Sequence, residues 1–278
     1  MRQTAQMHLS LNVIAAALSA LSWLSASSLP SPSPAPSTMA VPSLAWHEVS
    51  RVSHDPRAFT QGLVIDDRGR MFESTGIRGE SSLRELDRED GDVIRSKSLA
   101  ASLFGEGLAL VDDTLVQLTW TAGQAWQWHA DTFAFEGLWA YDGQGWGLCY
   151  DGEHLVMSDG SDRLTFRDPD TFEVRGVVSV TLDGRPLADL NELECVDSVV
   201  WANVWHRDEV VRIDPRDGRV TGRLDLSGLL QPNPADEDPE AVLNGLAWDA
   251  ASETMWVTGK RWPEMVELHV AETSGPGS

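Results

Sequence analysis

Five positions in this chain share a local context yet differ in the side chain they carry. The segments are Gln61–Gly62–Leu63, Glu106–Gly107–Leu108, Trp146–Gly147–Leu148, Asn191–Glu192–Leu193 and Asn244–Gly245–Leu246. A repeat that served only the fold would keep one small or apolar residue in the leading place. Here four of the five leading residues are polar, so a constant framework displays a variable ring. That is the pattern of polar groups converging on a concave pocket. Glu106 is the one carboxylate in the ring. A Glu sheltered among aromatics has its ionised form disfavoured, so it can exchange protons near neutral pH. The plainer alternative is a capped or salt-bridged loop carboxylate. Glu192 and Glu194 are rivals for the role, but Glu106 aligns with Asn191 rather than with either.

Aromatic residues follow at matching depth. Trp120 lies 14 residues after Glu106, and Trp205 lies 14 after Asn191. With Trp146, and with Phe59 and Phe104 flanking the ring, they would form an apolar cup with a few polar handles. Lys260 closes the fifth repeat and offers a positive charge. Other chemistries find no support. The chain has no GxSxG, Walker or GxGxxG segment, and its seven His show no HxH or HExxH spacing. A protein-ligated catalytic metal is therefore not expected.

The elements that must position these residues are short strands. The leucines of the five segments are spaced by 45, 40, 45 and 53 residues, and each segment runs into a polar turn and a second strand. No stretch of the body keeps a 3.6-residue apolar period. This spacing predicts an all-β chain, a five-bladed β-propeller, rather than a β-sandwich. Ala45–Val52 and Met265–Val270 both alternate like strands, so one of them should complete a blade begun at the other end of the chain. Aligning the repeats puts Cys149 and Cys195 one residue out of phase on neighbouring blades. Successive strand residues face opposite ways, so both thiols are expected to stay unpaired.

The ends and the charge set the context. Residues 1–28 read as a signal peptide: Arg2, an apolar run and small residues for cleavage. Residues 29–44 are a Pro/Ser-rich linker, and residues 45–278 form the folded domain. The protein is expected in the periplasm or secreted, with no stable membrane association, as a monomer. The net charge of −22 argues against any nucleic-acid partner.

Taken in order, FTQGL, FGEGL, LVQLTW, GWGL, LNELE, WANVW, RIDP, LNGLAWD and TGKRWPEMVEL resemble the plant-type glutaminyl-peptide cyclotransferases (glutaminyl cyclases), which also occur in bacteria. The resemblance covers residues 45–270. It implies a five-bladed propeller and an acyltransferase that is zinc-independent and requires no cofactor. An acidic channel would attract a structural divalent cation such as calcium, though no ligand set is legible. The implied substrates are peptides or proteins with an N-terminal Gln. By resemblance Glu106 is the proton shuttle, while Gln61, Asn191 and Lys260 hold the substrate and its oxyanion. Trp120, Trp146, Trp205, Phe59 and Phe104 shape the cup. The competing reading is a non-catalytic propeller that binds peptide or carbohydrate at its channel mouth.

Overall fold

A computed structural model describes residues 40–230 and 238–272. The expected signal peptide and residues 29–39 of the expected linker lie outside the described residues. Every regular element among the described residues is a strand, 22 in all.

Three antiparallel four-stranded sheets come first, each built from consecutive strands. They start at Thr60–Ile65, Gly105–Val111 and Leu148–Tyr150. An eight-stranded sheet follows, made of two four-stranded halves. One half starts at Leu190–Val196 and the other at Leu243–Asp249. Ser43–Ser53 completes the second half by pairing antiparallel with Glu264–Glu272, so both chain ends share one unit, as the sequence predicts. A short parallel pairing, Ser43 with Arg223 and Leu44 with Leu224, joins the halves.

The five starting strands pack side by side and close on themselves. Thr60–Ile65 touches Gly105–Val111, which touches Leu148–Tyr150, then Leu190–Val196, then Leu243–Asp249, which returns to Thr60–Ile65. Burial falls off outward: Gly105–Val111 is almost wholly buried, whereas Val93–Ser98, Phe135–Ala140 and Val174–Ser179 are mostly exposed. The architecture is all-β and propeller-like.

The repeat's Gly–Leu pair has a packing cause. A Cβ on Gly62 would lie 2.5 Å from the Leu108 nitrogen, and one on Gly147 would lie 2.1 Å from the Asn191 oxygen. Only glycine lets the inner strands approach so closely. Leu63, Leu108, Leu148, Leu193 and Leu246 are all buried. Each fills the space between neighbouring sheets, worth about 1.5–3 kcal/mol.

The fourth repeat breaks the rule, with Glu192 in the glycine's place. Its carboxylate reaches across the centre and accepts the backbone N–H groups of Leu63 at 3.2 Å and Leu246 at 2.9 Å. Burial, with Glu194 nearby, pushes Glu192 well above the usual carboxylate range, while those two N–H groups pull the other way. Glu192 therefore ties three inner strands together.

One expectation is overturned. Cys149 and Cys195 form a disulfide, with Cα atoms 5.5 Å apart. The alternation argument holds within one hydrogen-bonded sheet, but these cysteines lie on inner strands of different sheets. Alternation fixes where a residue points within its own sheet, not which residue of a packed neighbouring sheet it meets, and Leu148–Tyr150 packs against Leu190–Val196 without sharing a ladder.

Candidate active site

Bulges aim the variable ring. Strand pairing slips between Thr60 and Gly62, Gly105 and Leu108, Leu190 and Leu193, and Leu243 and Leu246. Gln61, Glu106, Asn191 and Asn244 fall inside these slips, and a bulge turns a side chain out of the regular pleat. Trp146 lies just ahead of its inner strand, Leu148–Tyr150.

All nine candidate site residues line one cavity of about 310 Å³: Phe59, Gln61, Phe104, Glu106, Trp120, Trp146, Asn191, Trp205 and Lys260. Asn244, the remaining ring member, stands behind the wall. Its Nδ2 donates to the Thr60 carbonyl at 2.9 Å and to Gln61 Oε1 at 3.2 Å. With its oxygen engaged, Gln61 is left with its amide N–H groups to offer the cavity.

Glu106 is 4% exposed and has no side-chain hydrogen bond among the described residues. Burial pushes its carboxyl well above the usual carboxylate range, and the Lys260 ammonium pulls back. Lys260 is also buried, which lowers its ammonium; Glu106 and Glu240 oppose the shift. Its Nζ sits 5.0 Å from the centre of the Phe59 ring. Two further donors face no partner: Asn191 Nδ2 and Trp205 Nε1 are buried and unbonded. Buried donors without acceptors are rare and costly. Both belong to residues that line the cavity.

The aromatic cup is held edge to face. Phe59 meets Phe104 at 6.0 Å, Phe104 meets Trp120 at 5.6 Å, and Trp146 meets Trp205 at 5.5 Å between ring centres. Gln144 locks two indoles with one oxygen, accepting from Trp120 Nε1 at 2.7 Å and Trp146 Nε1 at 3.0 Å.

The rival carboxylates lie elsewhere. Glu192 is spent on the centre. Glu194 accepts the Trp248 N–H at 3.1 Å, and burial pushes it up to about 8. It lines a different cavity, together with the disulfide and Asp66, Asp67, Asp112 and Asp113. Among the described residues no group of three or more His, Cys, Asp or Glu is placed to hold a metal ion.

Comparison with known proteins decides the family. A family model described as glutamine cyclotransferase matches residues 16–270. The chain belongs to the glutamine cyclotransferase family. The glutaminyl-peptide cyclotransferase of Arabidopsis thaliana is 38% identical over 231 residues, covering 81% of this chain and 71% of that protein. The crystal structure of Myxococcus xanthus glutaminyl cyclase matches with a TM-score of 0.77 and 39% identity, covering 85% of this chain and all of that one.

Two residues of this arrangement carry no signal in the repeat. Glu240 completes the cavity lining, and its Oε1 lies 3.6 Å from His206 Nε2 at the exposed rim. Gln144 has no counterpart at the same place in the other repeats. Its position two residues before Trp146 was the one available clue.

Proposed function

We propose that this chain converts N-terminal glutaminyl residues of peptides to pyroglutamyl residues, releasing ammonia through the cavity around Glu106. The observation that carries the reading is a buried carboxyl, without a side-chain hydrogen bond among the described residues, lining the same 310 Å³ cavity as Asn191 and Trp205, whose side-chain donors have no hydrogen-bond partner among the described residues. The substrate's α-amine nitrogen attacks its own γ-carboxamide carbon. A C–N bond forms to close the ring, the bond to the amide nitrogen breaks, and ammonia leaves. No water is consumed. Because the attack is intramolecular, the enzyme must mainly fold the side chain back over the amine. The cup of Trp120, Trp146, Trp205, Phe59 and Phe104 supplies that shape. Glu106 takes the proton from the attacking amine and hands it to the departing nitrogen. Asn191 Nδ2, Trp205 Nε1 and the Lys260 ammonium face the oxygen that becomes negative, and Gln61 holds the substrate amide. A module that only bound peptide or sugar would have no use for a carboxyl whose proton affinity is raised by burial.

The deciding experiment incubates the purified protein with a Gln-initiated dipeptide and follows ammonia together with the peptide's mass. Equal release of ammonia and loss of one ammonia from the peptide is the expected result. Unchanged peptide at high enzyme concentration would sink the reading. The rate should rise with pH through about 7.7–8.0, where an α-amine loses its proton, because only the free amine attacks. A profile flat across that range would show that amine deprotonation does not limit the reaction. No step is routed through a metal, so strong chelators should leave the rate within about two-fold of its starting value. Loss of activity in phenanthroline, restored by zinc, would contradict this mechanism.

The same proposal counts five blades, from the five inner strands that follow one another in a closed ring. A crystal structure with another number of radial sheets would overturn the count. Export is part of the reading too, since the disulfide suits an oxidising compartment. Amino-terminal sequencing should find the mature chain starting beyond the apolar run, and a full-length cytoplasmic chain would refute export. Light scattering should give a monomer.

A further inference from the structure

A second buried charge cluster lies where the first and last units of the ring meet. His54 is 5% exposed, and both of its ring nitrogens face acceptors. Nδ1 lies 2.8 Å from the carbonyl oxygen of Trp262, and Nε2 lies 2.9 Å from Glu73 Oε1. A carbonyl can only accept, and the same Glu73 oxygen already accepts from the Thr60 hydroxyl at 2.7 Å. With Glu73 ionised beside Arg84, whose Nη1 lies 3.6 Å from Glu73 Oε2, both ring nitrogens carry hydrogen, which makes His54 an imidazolium. Burial works against that charge, but the Glu73 carboxylate and the Trp262 carbonyl outweigh it and hold His54 above its ordinary value. Glu73 is held below its own, burial being outweighed by His54 and Arg84.

The cluster connects two parts of the site that are distant in sequence. Trp262 belongs to the turn that carries Lys260, between strands Thr254–Gly259 and Glu264–Glu272. Glu73 pairs with Leu63 on the strand that begins Thr60–Gln61. Two backbone bonds run the same way: His54 N–H to the Pro263 carbonyl at 2.8 Å, and Arg261 N–H to the Ala58 carbonyl at 2.7 Å. The titratable and charged groups around the ring are Glu73 and Arg84, with Asp55 beyond, where Arg84 donates at 3.2 Å. The Thr258 hydroxyl stands 3.4 Å from Nδ1.

We propose that His54 is a positioning residue: a buried imidazolium that clamps the Lys260 turn to the segment carrying Phe59 and Gln61. A neutral ring has one N–H and cannot satisfy both Trp262 and Glu73, so losing the proton releases one side of the clamp. The sign follows from the raised value. The clamp is complete below the ordinary imidazole range and is lost as pH rises through the value in the folded protein. It sets a falling alkaline limb on an activity whose rising limb comes from the substrate amine. The assay rests on the cyclase reading above, but the titration of His54 does not.

The experiment measures kcat/KM against pH on a Gln-initiated dipeptide for the wild type, His54→Gln and Glu73→Gln. It also titrates His54 by NMR in the wild type, with the Trp262 indole signal reporting on the turn. His54 should stay protonated well above about 6.5, and the Trp262 signal should move with it. His54→Gln should lower kcat/KM about ten-fold while the protein remains folded by circular dichroism. Glu73→Gln strips the counter-ion and should move the alkaline limb to lower pH by about one unit. Lys260 faces Glu106 and Glu240, not Glu73, so its own titration would not respond in this way. His54 titrating at or below about 6.5 would overturn the proposal. So would an unmoved limb in folded Glu73→Gln, or His54→Gln within two-fold of wild type. If Glu73→Gln does not fold, the NMR titration decides alone. If the wild type releases no ammonia at all, the cyclase reading fails while the titration still tests the clamp.

Discussion

Replacing Glu106 by Gln will lower turnover by about 100- to 10,000-fold while substrate still binds, the usual range for a general acid–base group. The amide keeps the size of the side chain and a hydrogen-bonding end, and removes only the proton shuttle. Misfolding would be a poor explanation for the loss, and the pKa direction says why. Glu106 is raised well above its ordinary 4.5 by burial. Above that ordinary value the unfolded chain has lost a proton that the native state still holds. Stability therefore falls as pH rises towards the native value, and the full cost is present beyond it. Glu106→Gln escapes that cost, so the variant should be at least as stable as wild type at neutral and alkaline pH. Trp120→Ala should behave differently, raising KM through lost apolar contact with the substrate more than it lowers kcat. Glu192→Gln and Glu194→Gln are the controls. Glu192→Gln should cost stability, because an amide N–H₂ would face the Leu63 or Leu246 N–H that a carboxylate oxygen accepts. The decisive readings are kcat and KM beside a thermal midpoint for each variant. A Glu106→Gln enzyme retaining more than a tenth of wild-type turnover, with either control inactive yet folded, would place the catalyst on another strand.

The site was legible because the fold repeats. One position per repeat is copied to the rim of the same opening, so Gln61, Glu106, Trp146 and Asn191 could be aligned without coordinates. The 14-residue offsets carried Trp120 and Trp205 with them. Asn244 passed the same test and proved to be a support for Gln61, because its amide donates to the Thr60 carbonyl and to Gln61 Oε1. Glu240 was not legible, because it lies on a connection before the fifth inner strand and has no repeated counterpart. His54 was not either. Its role exists only where the first unit meets the last, and nothing in local sequence marks that seam. Periodicity speaks for positions within a unit, not for which residues of packed neighbouring units meet. The cysteines failed for that reason.

Loss of the Cys149–Cys195 bond should lower the unfolding free energy by about 4 kcal/mol, on the loop-entropy estimate for a sequence separation of 46 residues. For a domain of this size that corresponds to a fall of about 8–16 °C in Tm. The bond joins Leu148–Tyr150 to Leu190–Val196, inner strands of two sheets that share no ladder hydrogen bonds. It reinforces a seam held otherwise by side-chain packing, by the close approach at Gly147 and by the Ser158 hydroxyl bonded to the Asn191 carbonyl at 2.6 Å. Asn191 hangs from the same strand, so the seam also fixes one wall of the site. The disulfide itself lines the cavity with Glu194 and the four Asp residues, apart from the residues around Glu106. Its removal should therefore spare kcat at low temperature and shorten the active lifetime on warming. The test compares wild type with a Cys149→Ala, Cys195→Ala double variant, using calorimetry and ammonia release at two temperatures. Alkylation and mass spectrometry of the unreduced wild type should find no free thiol. Free thiols there, or a double variant melting at the wild-type temperature, would show that the seam stands without the bond. An early fall in kcat at low temperature would instead show that the bond, and not packing alone, sets the position of Asn191.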